Sequence, residues 1–244
     1  MRSNDPIICT VHEDWYSFTN GDILVARSTI LKHSGRKESQ MREKNYIAAL
    51  CCLLALISCA SQKQHIEVGK ELLQNKQYSQ ALGEFNQAIQ EDPKQYYAYF
   101  GQGMAYANSG HPDLAVGSAN QALALKPDDA GSFFVRGQAE ADLGQPDKAV
   151  ADLSQAINLD PKKAKYVALR SLVFANAGRP DLALPDAQRA LALDPRSVAA
   201  LVAQAMVFES QGQHQMAIDE MQKAADIEPN NTTVQKLQSM LVQQ

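Results

Sequence analysis

Small and apolar residues recur with a period of 34 over most of the chain. Two columns contain only alanine, a third contains glycine, serine or alanine, and a fourth contains only proline. The columns are Ala81, Ala115, Ala149, Ala183 and Ala217; Ala88, Ala122, Ala156, Ala190 and Ala224; Gly69, Gly103, Gly137, Ser171 and Ala205; and Pro93, Pro127, Pro161, Pro195 and Pro229. Five rows without an insertion predict five copies of one structural unit.

Each column predicts a feature of a pair of antiparallel helices. Small residues are expected where the helices approach closely, because larger side chains would force them apart. Between the helices the rows read SGHPDLA, LGQPDKA, AGRPDLA and QGQHQMA, in which glycine suits a left-handed helix end and Pro-Asp suits the next helix start. The row-ending prolines predict the end of the second helix. The first row has Asn75 and Lys76 instead of glycine, and asparagine is expected to take the left-handed conformation there.

These columns resemble the tetratricopeptide repeat, which has a small residue in its first helix, alanines in its second and a proline after it. The resemblance extends from Gln62 to Asn231. It implies an all-α fold, a right-handed solenoid of five helix-turn-helix repeats. The predicted repeats span residues 62–95, 96–129, 130–163, 164–197 and 198–231.

Half a repeat follows, and residues 232–244 are predicted to form a capping helix. Thr232 or Thr233 is its expected N-cap. An apolar stripe of Val234, Leu237 and Leu241 is expected to cover the last repeat.

Residues 41–58, MREKNYIAALCCLLALIS, have the layout of a secretory signal peptide. The apolar run is shorter than the about 20 residues of a membrane span. The sequence Leu56-Ile57-Ser58-Cys59 resembles the lipobox of bacterial lipoproteins, whose cysteine is lipidated and begins the mature protein. That resemblance implies diacylation of Cys59, a short tether at 59–61 and, with Ala60 next, an outer-membrane anchor facing the periplasm. The alternatives are a chance cysteine in an ordinary signal peptide and a buried apolar helix.

Residues 1–40 precede this signal, although export signals normally begin near the N-terminus. They show no helical or strand period, and their five acids argue against an organelle transit peptide. We interpret them as an upstream extension that is not native, or as a disordered leader. The alternative is a genuine leader with an internal apolar segment.

Charge and composition point away from nucleic acid and from catalysis. The net charge is -4 and no basic block is present, so a phosphate-binding surface is not expected. All four cysteines precede Ala60, and the later histidines fall in different repeats. Asp113, Asp147 and Asp181 recur at helix starts, where the helix dipole explains them. We therefore expect no enzyme, no metal, no cofactor and no small-molecule substrate.

The candidate site is the concave face that the first helices line in tetratricopeptide solenoids, where the family binds peptides or helices of other proteins. A stripe offset from the packing stripe supplies the contacts. The predicted peptide-binding residues are Tyr97, Phe100, Met104, Asn108, Phe134, Gln138, Asp142, Leu172 and Asn176, and the equivalent positions also hold Lys165, Val202, Met206 and Glu209. The alternative is that the aromatic residues only pack between repeats.

The sequence thus predicts a lipid-anchored scaffold in the bacterial envelope, whose groove binds a protein segment and assists assembly of an envelope complex. A narrower hypothesis is a factor similar in plan to the pilotins of type IV pili, which help a secretin assemble. That hypothesis rests on analogy, because unrelated functions share these repeats. A hypothesis of another class, an enzyme with a site on the repeat surface, would need a titratable cluster.

Overall fold

The computed structural model describes residues 8–11, 14–17 and 63–242. The predicted signal peptide, Cys59 and the tether lie outside these residues. The first strands belong to one compact unit, and all the described helices belong to another.

Two short strands near the N-terminus form an antiparallel pair. They are β1, Ile8–Val11, and β2, Asp14–Ser17, with Cys9 opposite Tyr16. Residues 1–40 show no strand period in the sequence, and a disordered leader was one interpretation of them. The paired strands differ from that expectation. Four-residue strands are too short to show alternation, but the β-branched and aromatic residues of ICTV and DWYS favour strands.

The second unit contains eleven described helices, which alternate as first and second helices of the repeats and end in a cap. They are α1 (residues 63–74), α2 (Tyr78–Glu91), α3 (Tyr96–Asn108), α4 (Pro112–Leu125), α5 (Ala130–Asp142), α6 (Pro146–Leu159), α7 (Ala164–Asn176), α8 (Pro180–Leu193), α9 (Val198–Ser210), α10 (His214–Ile227) and α11 (Thr232–Val242). The predicted all-α solenoid is confirmed for this part of the chain.

The alanine and small-residue columns lie where the helices of a pair meet. All ten alanines of the two alanine columns are fully buried. At Gly137 an added Cβ would lie 3.0 Å from Leu153 Cγ and 3.2 Å from the Ala149 carbonyl oxygen. The helix pair α5 and α6 therefore requires glycine or a very small residue at this crossing.

The turn inside each repeat has one geometry. Gly110, Gly144, Gly178 and Gly212 have φ between +67° and +79°, and the residue after each glycine donates its N–H to the carbonyl five residues earlier, as in His111 to Tyr106 at 3.0 Å. In the first repeat Lys76, not Asn75, takes this conformation, with φ 58°. The expectation for Asn75 is wrong because the position in the repeat decides, and Lys76 is the residue 34 before Gly110.

Second helices end two residues before each row-ending proline, as at Leu125 and Pro127. The cap α11 lies against α10, with Val234 buried and Leu237 and Leu241 packed beside it. Its N-cap is neither Thr232 nor Thr233. The Asn231 Oδ1 atom accepts from the N–H groups of Thr233 and Val234 at 3.1 and 3.2 Å, because asparagine one residue earlier faces the free N–H groups.

Candidate functional site: the concave face

The first helices lie on the inner side of the curved stack. Helix α3 packs against α5, α5 against α7, and α7 against α9. Within residues 63–242, second helices of neighbouring repeats make no comparable contact with one another. The surface formed by α3, α5, α7 and α9 is therefore the concave face.

Aromatic rings connect the first helices along this face. The rings of Tyr97 and Phe100 meet edge to face at 5.3 Å. Phe100 reaches α5, where a Cβ on Gly131 would be 2.8 Å from its ring. Phe134 in turn reaches α7, with its ring 5.1 Å from that of Tyr166.

The three predicted aromatic residues are half-buried rather than buried. They pack between repeats, as the alternative interpretation requires, and they also keep part of each ring at the surface. The structure therefore places these residues along one face, where each has both a packing contact and an exposed part.

The other predicted contact residues divide into a central and an edge group. Met104, Gln138 and Leu172 are half-buried on successive first helices, whereas Asn108, Asp142 and Asn176 are exposed near the helix ends. The Asn108 amide donates to the Met104 carbonyl at 2.9 Å, so one donor of that amide is already used. Although Asp142 is exposed, nearby protein atoms displace part of the water around its carboxyl, which raises the pKa of that group.

Two lysines lie over these rings. Lys70 Nζ is 4.6 Å from the centroid of the Tyr97 ring, and Lys165 Nζ is 4.6 Å from that of Phe134. Such contacts are favourable because the ring face is negative. Lys70 is not among the predicted contact residues, although it falls 34 residues before Met104 and thus extends the same column by one repeat.

A polar ladder, also missed from the sequence, joins the repeats. Arg136 on α5 donates to both oxygens of Asp152 on α6 and, at 2.7 Å, to Asn120 on α4. Arg170 repeats the pattern with Asp186 and Ser154. Each arginine therefore ties its own second helix to that of the preceding repeat, which is a structural role.

The three histidines of residues 63–242 lie in different repeats and have different partners. His65 is 2.7 Å from Glu84 on the neighbouring helix α2, whereas His111 and His214 contact residues near them in sequence, Ser109 at 3.1 Å and Glu209 at 2.9 Å. The described part of the chain has no group of three or more histidine, cysteine, aspartate or glutamate side chains that could hold a metal.

None of the described helices combines the length and apolar character needed to cross a bilayer. The apolar run of residues 46–57 lies outside the described part of the chain.

Comparison with known families supports the repeat assignment. The tetratricopeptide-repeat family matches residues 68–130, 102–166, 134–187 and 168–232, which together exceed half of the chain. No curated protein sequence matches the chain significantly.

Several solved structures share the fold. TTC0263, a thermophilic TPR protein of Thermus thermophilus, is 22% identical, with 75% of this chain and 100% of that chain covered and a TM-score of 0.65. YrrB, described as a TPR protein with an unusual peptide-binding site, is 22% identical, with 72% and 90% covered and a TM-score of 0.53. PilW, described as a widely conserved type IV pilus biogenesis factor, is 24% identical, with 68% and 77% covered and a TM-score of 0.61.

Proposed function

Because this chain belongs to the tetratricopeptide-repeat family, we propose that it is a lipid-anchored scaffold that binds a segment of another protein on its concave face. Members of this family are generally scaffolds without catalytic activity. The bound segment is a peptide or a helix of an envelope protein, and binding assists assembly of an envelope complex. A solved relative in fold, YrrB, is described as having a peptide-binding site.

One observation carries the binding proposal: a continuous row of half-buried aromatic rings on the inner face. The rings of Tyr97 and Phe100 meet on α3, Phe100 reaches α5, and Phe134 reaches α7, while part of each residue stays exposed. Partly exposed aromatic side chains on a concave surface are favourable anchors, because they lose little conformational entropy when a partner covers them.

The membrane anchor of the proposal rests on Leu56-Ile57-Ser58-Cys59 after an apolar run. We expect the mature protein to begin at a diacylated Cys59 and to face the periplasm from the outer membrane. Metabolic labelling with a fatty acid tests this. Label in the parent and none in Cys59→Ser supports the anchor, whereas equal labelling of both removes it. A chain begun at Met41 should be labelled as well as the full chain.

A second candidate function is narrower: assistance of type IV pilus or secretin assembly. The fold shared with PilW, described as a pilus biogenesis factor, favours it. At 24% identity that likeness concerns the fold alone. Deletion of the gene should then reduce piliation or the amount of assembled secretin.

The binding proposal is tested with a triple variant, Tyr97→Ala, Phe100→Ala and Phe134→Ala. The matched control also carries three alanines, in place of Leu125, Leu159 and Leu193. These leucines are 39–41% exposed at the ends of second helices. Both are compared with the parent for capture of a partner after cross-linking of envelope membranes. We expect only the aromatic variant to lose capture, because anchors of this kind contribute about 2 kcal/mol or more.

Folding must be measured alongside, since the same rings pack between repeats. A second variant, Gln138→Arg, leaves every ring in place and puts a longer, charged side chain on the concave face. Normal melting with unchanged capture in both variants would contradict the proposal.

A further inference from the structure

Three lysines in the described residues lie over aromatic rings at the same distance. Their Nζ atoms are each 4.6 Å from a ring centroid: Lys70 over Tyr97, Lys126 over Tyr96 and Lys165 over Phe134. Lys165 is also 5.4 Å from the centroid of Tyr166. The three sites therefore allow a comparison in which the ring contact is constant.

The sites differ in the carboxylate beside the ammonium. Lys70 is 2.6 Å from Glu67, and Lys126 is 3.5 Å from Asp129. Lys165 forms no ion pair with any residue that the structure describes, although its neighbour Lys163 is also positive. All three sites thus have a lysine over an aromatic ring, and two of them also have a carboxylate beside the ammonium.

The pKa values of the three lysines differ in direction, with two raised and one lowered. Glu67 raises the pKa of Lys70, and a hydrogen bond to the Tyr96 hydroxyl, together with Asp129, raises that of Lys126. The pKa of Lys165 is lowered, first by loss of water around the ammonium and then by Lys163. Lys165 is thus an exposed cation without a counter-ion among the described residues, and the protein atoms around it displace only part of its water.

Lys165 also lies within the concave face and not at its end. Phe100 and Phe134 are on the first helices that precede α7, while Leu172 and Met206 are half-buried farther along α7 and on α9. Apolar surface therefore continues on both sides of the cation. A segment crossing the first helices would place its middle, rather than its end, at Lys165.

We propose that Lys165 receives the side-chain carboxylate of an aspartate or glutamate within the bound segment, next to an apolar residue that covers the Phe134 ring. The inference rests on the proposed function, whose occupant it specifies as an acidic and apolar internal segment of a partner protein. The carboxylate takes the place that Glu67 has beside Lys70. In a site from which water is partly removed, such a pair is stronger than one in bulk solvent.

The pair fixes which partner residues are accepted. A basic residue at this point of the segment would meet Lys165 and Lys163 together, and like charges in contact oppose binding. Many apolar segments could cover the rings. Among them, Lys165 favours those with an acidic residue at this point and disfavours those with a basic one.

The test uses the protein from Cys59 onward, without lipid, and a library of random peptides displayed on phage as internal segments without a free C-terminus. Peptides selected on the parent are synthesised, and their affinities are measured for the parent, Lys165→Glu and Lys165→Met. Lys162→Glu, an exposed lysine before α7, is the charge-matched control. Phe134→Ala and Gln138→Arg report whether a peptide binds the concave face. Circular dichroism checks the folding of each variant.

We expect the selected peptides to share an acidic residue beside an aromatic or aliphatic one. Lys165→Glu should weaken them by about tenfold or more, and Lys165→Met, which keeps the stem on Phe134, should weaken them less. Lys162→Glu should have little effect. Selection on Lys165→Glu should enrich basic residues at the same place.

The outcomes separate the two claims. Peptides that depend on Phe134 and Gln138 but lack a shared acid, or that bind Lys165→Glu and Lys165→Met as well as the parent, overturn the role of Lys165 alone. Selection of no peptide, or only of peptides insensitive to Phe134→Ala and Gln138→Arg, overturns both this role and peptide binding on the concave face.

Discussion

Glu140 occupies a position that holds an aromatic residue in three other repeats: Tyr106, Phe174 and Phe208 are separated from it by multiples of 34. Its side chain is buried, and its Oε2 atom has no hydrogen-bond partner among the described residues. Burial, and then the charge of Asp152, raise the pKa of the Glu140 carboxyl, against the opposing effect of Arg136 and Lys148. The ionised form of Glu140 is therefore unfavourable in the folded protein.

We predict that Glu140→Gln raises the melting temperature at pH 7. In the folded state the carboxyl keeps its proton to a higher pH than in the unfolded chain, so the parent loses stability as the pH rises above about 4.3. The gain from Glu140→Gln should shrink as the pH falls towards that value. Thermal unfolding followed by circular dichroism across this range measures it, with the exposed Glu71→Gln as control. If Glu140→Gln raised the melting temperature equally at every pH, the raised pKa of the Glu140 carboxyl could not be the cause.

Lys76 is the one residue other than glycine that has a positive φ among the described residues. A left-handed backbone costs a residue with a Cβ about 1 kcal/mol or more relative to glycine. We predict that Lys76→Gly raises the free energy of unfolding by roughly that amount, and that Gly144→Ala in the equivalent turn lowers it. Chemical denaturation measures both. If Lys76→Gly leaves the free energy of unfolding unchanged, the positive φ of Lys76 carries no cost and the prediction is wrong.

At the scale of the helix pair, stability depends on close approach. Ala149 is fully buried, and its carbonyl lies beside Gly137 on the facing helix. We predict that Ala149→Leu lowers the free energy of unfolding by about 1–3 kcal/mol, because the larger side chain forces α5 and α6 apart. Ala151→Leu on the exposed side of α6 is the control. Equal stability of both variants would contradict the packing of this pair.

The helices and turns could be predicted because each repeat encodes them locally, through glycine, proline and small residues at fixed positions. The exceptions depend on context. Asn231 rather than a threonine caps α11, and Lys76 rather than Asn75 takes the left-handed turn, because register in the repeat outweighs residue preference. The two N-terminal strands are too short to give a periodic signal.

For the candidate site, the sequence predicts which residues lie on the concave face but not how their side chains contact one another. The 34-residue columns identify the residues of the concave face, but side-chain conformation decides that Lys165 extends over Phe134. The polar ladder was not predicted, because an arginine such as Arg136 is common on exposed helix surfaces. Its partners, Asn120 and Asp152, lie 16 residues before and after it in the sequence.

At the scale of the solenoid, contacts within a repeat and contacts between second helices use different side chains. The alanine columns hold the helices of each pair together, and the ladder of Arg136 and Arg170 joins successive second helices. Phe100 and Phe134 join neighbouring first helices, and part of each residue stays exposed on the inner surface. This separation explains how side chains on the concave face can vary between repeats while the period of 34 is kept.

Site-specific photo-crosslinking in living cells tests most directly whether a partner lies on the concave face. A photoreactive phenylalanine derivative replaces either Gln138 on α5 or Gln155, which is exposed on α6 of the same repeat. If the concave face binds a partner, position 138 should give a discrete protein adduct that is lost when Phe134 is changed to alanine, and position 155 should give none. An adduct from position 155 alone, or equal adducts from both positions, would contradict this binding.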